Sequence, residues 1–192
     1  MIRGLYDWTM GLASHRHAIW ALAAVAFIES SVFPIPPDVL LIPMVLAMPW
    51  RAFQFAAVAT VASVLGGCLG YLIGYGFMDA VGHPILEFYG KSGQFDELAQ
   101  RFNEYGGWAV LIAGVTPFPY KVITIFSGAT HLSLPLFIGV SILARALRFV
   151  IVAALLWKFG APIRDFIERR LGLVFTVFVV GLLGGFYVLR YL

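Results

Sequence analysis

Three stretches of the chain carry no Asp, Glu, Lys or Arg: residues 52 to 78, 122 to 144 and 171 to 189. Each is long enough to cross about 30 Å of hydrocarbon as a helix. Two other apolar stretches differ in kind. Ala18 to Ala47 is apolar except for Glu29, Ser30, Ser31 and Asp38, and Pro34, Pro36 and Pro37 interrupt its middle. Trp108 to His131 is broken at Pro117 and Pro119, with Lys121 beside the break. Proline lacks an amide hydrogen and clashes with the preceding turn, so an unbroken helix across either cluster would be strained. The pattern predicts two short helices meeting at a broken tip. Glu29 then lies near the end of the descending arm, with Asp38 and Pro43 on the returning arm.

The order of these stretches predicts an all-α integral membrane protein with an internal repeat. In residues 18–78 a proline-broken hairpin precedes an unbroken span, and residues 108–157 repeat that outline. If both hairpins turn back within the membrane, each half makes an odd number of crossings, the halves are related by inversion, and the hairpins enter from opposite sides. That is the repeat logic of secondary transporters, whose discontinuous helices meet near the midplane. The alternative is that the prolines only kink ordinary spanning helices. Between the halves, residues 79–107 are the least hydrophobic part of the chain. FDELAQRF has apolar residues at 95, 98, 99 and 102, the pattern of an amphipathic helix at the membrane surface. Tyr105, Gly106, Gly107 and Trp108 are expected to form an interfacial turn. Residues 171–190 are expected to form a separate, peripheral transmembrane helix. Gly66, Gly70 and Gly74 fall at intervals of four and give the first full span a smooth face for close packing, within the chain or against a second protomer.

Composition agrees with a bilayer as solvent. The 192 residues are 61% hydrophobic, with 17 Phe and a mean hydropathy of +0.90, well beyond ordinary soluble domains. A net charge of +3 is scattered, with no basic stripe or aromatic platform, so nucleic acid is not an expected partner. Its placement bears on topology. Arg16 and Arg51 bracket the first hairpin, and Lys158, Arg164, Arg169 and Arg170 cluster after the fourth apolar unit, which puts both sites on the cytoplasmic side. Asp7, Trp8, His15, Arg16 and His17 precede the first apolar run, unlike a removable signal peptide.

Enzyme chemistry finds little support. Cys68 is the only cysteine, so neither an intrachain disulfide nor a cysteine-based metal site is expected. The histidines, His15, His17, His83 and His131, lie in or near loops without a metal-ligand spacing such as HExxH. Ser127 in FSGAT lacks the nucleophile-elbow pattern. No catalytic residue, metal or cofactor is expected, and the chain reads as not an enzyme.

The remaining chemistry lies in five ionisable residues within otherwise apolar segments: Glu29, Asp38, Lys121, Arg145 and Arg148. Such residues are costly in hydrocarbon and mark function by default. An unpaired carboxylate there tends to take a proton, which makes Glu29 and Asp38 candidates for proton coupling. Asp38 follows a double proline and has a second reading as the cap of the returning helix. Arg145 and Arg148 are three apart, hence on nearly the same helix face, and repel unless acids or an anionic ligand offset them. Glu29 and Asp38 could neutralise them in an internal network. The functional reading is a phosphate bound by Lys121, Arg145 and Arg148, which outnumber the two acids by one charge.

FIESSVFPIPPDVLLIP, GGCLGYLIGY and AGVTPFPYKVITIFSGATHLSLPLFIGVS, the last leading to Arg145, together resemble the DedA superfamily, also described as the SNARE-associated or VTT domain. The likeness covers roughly Ala18 to Gly160 and is nearest to the YqaA-like branch. It implies two re-entrant hairpins facing one another in inverted repeats, in a multi-pass protein of the bacterial cytoplasmic (inner) membrane. DedA-like relatives are implicated in moving polyprenyl-phosphate or phospholipid across membranes with proton-motive force as driver, and distant eukaryotic relatives are lipid scramblases. By that resemblance the family's two acids match Glu29 and Asp38, its basic residue after the second proline turn falls at Lys121, where the better-studied branch commonly has Arg, and a later Arg matches Arg145. The expectation is a transporter or flippase for an anionic phosphorylated lipid or another small anion. Its partners would be membrane lipids, the anionic substrate, protons and a second copy in a homo-oligomer. The competing account is a non-transporting membrane-integrity or assembly factor.

Overall fold

Prolines decide where the helices stop. In the computed structural model, which describes residues 17–32, 36–90, 92–116 and 119–189, with side chains left out at 92, 161 and 163–189, the first apolar stretch forms α1 (Ala18–Ser31) and α2 (Asp38–Ala47). Pro37 stands at the N-cap of α2, and a 3₁₀ turn, Pro49–Arg51, leads into α3 (Ala52–Phe77). A π-helical turn (Met78–Gly82) and α4 (His83–Phe88) extend α3, and α5 (Ser92–Val115) follows. The second break separates α5 from α6 (Tyr120–Ala129), and α7 spans Leu134–Leu189. Pro34 and Pro117, expected at the two turns, lie outside the described residues, whereas Pro36, Pro37 and Pro119 sit in the breaks as expected.

Two boundaries differ from the sequence expectation. The turn expected at Tyr105 to Trp108 is absent, because α5 runs straight through it. Its glycines serve packing instead: a Cβ at Gly106 would fall on the Leu132 side chain, and one at Gly107 would lie against Leu136. Nor is there a break that sets off a separate helix at 171–190. α7 continues through 158–170 with Pro162 inside it. From residue 163 to 170 the sequence holds neither Gly nor Pro, so no local breaker ends the helix there. At about 1.5 Å per residue, its 56 residues extend about 84 Å, far more than one hydrocarbon thickness.

α3 is the central element. Its glycine stripe packs within the chain, against α1 at one end and α6 at the other. A Cβ at Gly66 would overlap the Phe27 carbonyl, one at Gly70 the Thr124 side chain, and one at Gly74 the Ile125 carbonyl. Gly128 of α6 returns the contact, since its Cβ position is taken by the Tyr71 carbonyl. Two cores result. One joins Leu22 and Ala26 of α1, Leu41 and Met44 of α2, Phe55 and Ala59 of α3, and Phe149 and Ala153 of α7. The other joins Tyr71 of α3, Val110 of α5, Tyr120 of α6, Leu132 and Phe137.

The outside of this bundle is apolar. The span-length segments Pro49–Phe88 and Leu134–Gly160 are only 44% and 33% buried in their most hydrophobic windows. A core helix of a soluble protein would be mostly buried. Here Val61, Leu65, Leu72, Leu143, Ile151 and Leu155 are exposed along α3 and α7, a surface suited to lipid.

Close packing at the stripe yields a prediction. Gly66→Ala and Gly74→Ala are each expected to cost about 1–3 kcal/mol, the usual penalty of overpacking, and to lower the thermal unfolding midpoint in detergent. Gly76→Ala, with nothing within 4 Å of the added methyl, should be neutral or mildly stabilising. Equal midpoints for Gly74→Ala and Gly76→Ala would rule out the stripe's role.

Candidate functional site

Each proline break ends a helix and leaves carbonyls without amide partners, and in apolar surroundings these need donors from elsewhere. At the end of α1 the donors come from α6. Thr124 Oγ1 shares its one proton between the Ser30 carbonyl at 3.1 Å and the Lys121 carbonyl of its own helix at 2.9 Å, and Lys121 Nζ donates to the Val32 carbonyl at 3.3 Å. At the end of α5 the donor comes from α7, where Arg148 Nη1 meets the Thr116 carbonyl at 2.9 Å. A cation at a helix C-terminus also suits the helix dipole.

Between these ends lies a ring of polar atoms. Arg145 of α7 is fully buried and donates through Nη2 to Glu29 Oε2 of α1 at 2.9 Å and through Nε to Ser63 Oγ of α3 at 2.6 Å. Ser63 and Ser30 hydroxyls are 2.6 Å apart, and Ser30 Oγ donates to Glu29 Oε2 at 3.0 Å. The proton directions agree around the ring: Arg145 to Ser63, Ser63 to Ser30, Ser30 to Glu29. The guanidinium also sits 4.7 Å from the Tyr120 ring centroid and 4.8 Å from that of Phe149, within cation–π range. Tyr120 is itself anchored by its hydroxyl on Ser141 Oγ at 2.5 Å.

One helical turn along α7, Arg148 Nη2 pairs with Asp38 Oδ2 of α2 at 2.7 Å. Asp38 therefore does not cap α2, which has no side-chain cap hydrogen bond at its start; its carboxylate is turned to α7 instead. Access rises from one pair to the other. Side-chain exposure is 1% for Arg145 and 13% for Glu29, but 18% for Arg148 and 23% for Asp38. Among the described residues neither pair is saturated: Arg145 Nη1 and Asp38 Oδ1 are buried without hydrogen-bond partners there.

Depth follows from helix geometry. Arg145 is about 17 Å along α7 from Leu134, and Ser63 about 17 Å along α3 from Ala52, so both lie well inside their helices and away from the helix starts. Four of the five expected residues thus meet as two ion pairs. Lys121 is set apart on the end of α1, and among the described residues it has no carboxylate within salt-bridge range. Sequence reasoning missed Ser63, Tyr120 and Thr116 as partners. Ser63 carried the clearest signal, as a polar side chain in a charge-free span.

The family model of the VTT domain matches residues 35–158, which take in Asp38, Ser63, Lys121, Arg145 and Arg148. The chain belongs to the VTT domain family. This VTT domain protein is 39% identical over 168 residues to an uncharacterized protein of Haemophilus influenzae, covering 85% of this chain and 87% of that one. It is 40% identical over 168 residues to an uncharacterized protein of Histophilus somni, with the same coverage. An uncharacterized membrane protein of Mycobacterium leprae is 29% identical over 106 residues, 55% of this chain and 44% of its own. No solved structure matches the chain at a significant level. The family and the apolar helices make this VTT domain protein a membrane protein.

Removing one member of a buried ion pair strands the other charge, typically at about 3–5 kcal/mol. Arg145→Met is expected to destabilise the VTT domain by that order, whereas Glu29→Gln combined with Arg145→Met should cost clearly less than the two single changes added. Reversible unfolding in mixed micelles measures the coupling. Additive costs would mean that the 2.9 Å contact carries no interaction energy.

Proposed function

We propose that this VTT domain protein is a transporter or flippase for an anionic phosphorylated lipid, a polyprenyl-phosphate or a phospholipid, in the bacterial cytoplasmic membrane, coupled to protons. In this reading α1 with α2 and the end of α5 with α6 are re-entrant hairpins, entering from opposite faces and meeting beside α3. The observation that carries it is the ring of Glu29, Ser30, Ser63 and Arg145 deep inside the apolar bundle, with one guanidinium nitrogen unpartnered among the described residues. Ionisable side chains at that depth are expensive and line substrate or proton routes by default.

The residues suggest how the steps would follow. With Glu29 ionised, Arg145 is neutralised and the site is closed to anions. A proton delivered to Glu29 removes its negative charge and frees Arg145, whose planar fork suits a phosphate. Arg148 sits one turn further along the same face and could take a second phosphate oxygen if Asp38 yields. Lys121, a mobile point charge at the end of α1, would meet the headgroup on its way in or out. Loss of the proton restores the Glu29–Arg145 pair and expels the anion. Acidification on the loading side should therefore strengthen phosphate binding.

Both arginines already have carboxylate partners within the chain, and this favours the second reading, a non-transporting integrity or assembly factor held together by the pairs. Transport separates the two. In proteoliposomes, the wild-type chain is expected to move a fluorescent polyprenyl-phosphate or anionic phospholipid between leaflets faster than empty vesicles, and faster still with the loading side acidic. Glu29→Gln should abolish the response to pH, and Arg145→Lys should slow transfer at least about 10-fold by losing the bidentate fork. Wild-type protein that moves no phosphorylated lipid under any proton gradient would leave the second reading; pH-dependent transport retained in Glu29→Gln would remove Glu29 from the coupling.

A further inference from the structure

Asp79, His83 and His131 are far apart in function from the buried pairs and belong to neither core. Asp79 lies in the π-helical turn at the end of α3, His83 begins α4 one turn later, and His131 comes from the loop joining α6 to α7. One ligand-capable atom from each falls within 4.8 Å of the others. His131 Nε2 and Asp79 Oδ1 are 3.2 Å apart. That is about one edge of a tetrahedron built on zinc–ligand bonds of about 2.0–2.1 Å. A ring nitrogen of His83 lies within 4.8 Å of both, and a third corner would fall to it once an ion draws the ligands in.

The backbone at His131 is held in an unusual state. Its φ is +56°, the left-handed region, where a residue with a Cβ is strained and where glycine is the usual occupant of a helix C-terminus. The surroundings enforce it. Its own amide bonds to the Gly128 carbonyl at 3.0 Å and the Leu132 amide to the Ser127 carbonyl at 2.9 Å. On either side, Asn103 Nδ2 holds the Thr130 carbonyl at 2.7 Å and the Tyr71 hydroxyl holds the Leu132 carbonyl at 2.6 Å. Strain kept in place by its neighbours is a common companion of a functional side chain. Here that side chain is an imidazole stacked on the Tyr75 ring at 4.4 Å, which sets its plane and aims Nε2 at Asp79. π-Turns, like the one that carries Asp79, also concentrate at functional sites.

A lone His–Asp ion pair would account for two of the three residues. It leaves His83 unexplained, since among the described residues its ring makes only aromatic contacts, edge-on to Phe95 and to His131. Two imidazoles and one carboxylate form a donor set suited to zinc and its neighbours in the transition series, and poorly suited to magnesium or calcium. We propose that Asp79, His83 and His131 bind one zinc-class divalent ion, with a fourth position left to water. Asp79 and His131 are 45% and 43% exposed, so the ion enters from solution. Bound there, it would clamp the end of α3 to the α6–α7 loop and tie the two halves of the repeat together at the end of the bundle remote from Arg51 and Lys158. This does not depend on the transport reading.

The test uses the full chain, purified in detergent through a tag without histidines, stripped with chelator and titrated with Zn²⁺ alone by calorimetry. One zinc per chain is expected. Losing an outer-shell partner already weakens metal sites about 10–100-fold, so His83→Ala and His131→Gly should each weaken binding at least about 100-fold. His131→Gly is the telling variant, because glycine accepts the left-handed backbone. It should unfold at the wild-type temperature or higher without metal and lose the upward shift that Zn²⁺ gives the wild type. Co²⁺ in place of zinc should give the visible bands of a tetrahedral site in the wild type only. A wild-type chain that takes up no Zn²⁺, or a His131→Gly chain that binds it as the wild type does, would overturn the proposal.

Discussion

The constraint on which this molecule depends is that no polar group inside an apolar bundle can be left to water. Two proline clusters break helices in the middle of hydrophobic sequence, and each break frees carbonyls. The donors that answer them come from other helices: Thr124 and Lys121 of the second half for the end of α1, and Arg148 of α7 for the end of α5. The two at the end of α1 therefore also fix how the halves sit against each other, and the third holds α5 to α7. Arg145 extends the rule from backbone to side chains, because its buried charge brings Glu29, Ser30 and Ser63 from two other helices into one ring.

Packing and polarity are coupled through α3. Thr124 can reach the Ser30 carbonyl only because Gly70 offers no side chain; a Cβ there would fall on the Thr124 hydroxyl itself. Gly66 does the same for α1, letting the Phe27 backbone lie on α3 and so bringing Ser30 within 2.6 Å of Ser63. The glycine stripe is thus more than a means of closing the bundle. It sets the backbone separations at which short side chains such as Ser and Thr can bridge helices.

Much of this was legible in the sequence because prolines and charges in apolar runs are strong local signals. The breaks at Pro36–Pro37 and before Tyr120, the glycine face and the grouping of Glu29 and Asp38 with Arg145 and Arg148 all follow from them. What could not be read is instructive in physical terms. The continuity of α5 through Gly106 and Gly107 depends on Leu132 and Leu136 packing against those glycines, a tertiary contact that local propensity does not contain. Asp38 had two readings, cap or charge partner, and only the position of Arg148 decides between them. Charge groups Lys121 with the arginines as a phosphate ligand, yet it meets a backbone carbonyl and, among the described residues, no carboxylate. The grouping of Asp79, His83 and His131 spans about 50 residues, beyond any short spacing motif.

A buried ion pair is poor evidence for stability, since desolvating two charges offsets much of their attraction and well-packed apolar residues often serve as well. If closing the bundle were all that Glu29 and Arg145 did, leucine and methionine would do it at lower cost. The details point the same way. Among the described residues, Arg145 uses Nε and Nη2 but leaves Nη1 without a partner, and Asp38 uses one carboxylate oxygen and leaves the other. A network optimised for rigidity would satisfy these atoms. Under the proposed function, a network with spare donors and acceptors inside the bundle is one that exchanges partners, carboxylate for phosphate, with a proton deciding which is held.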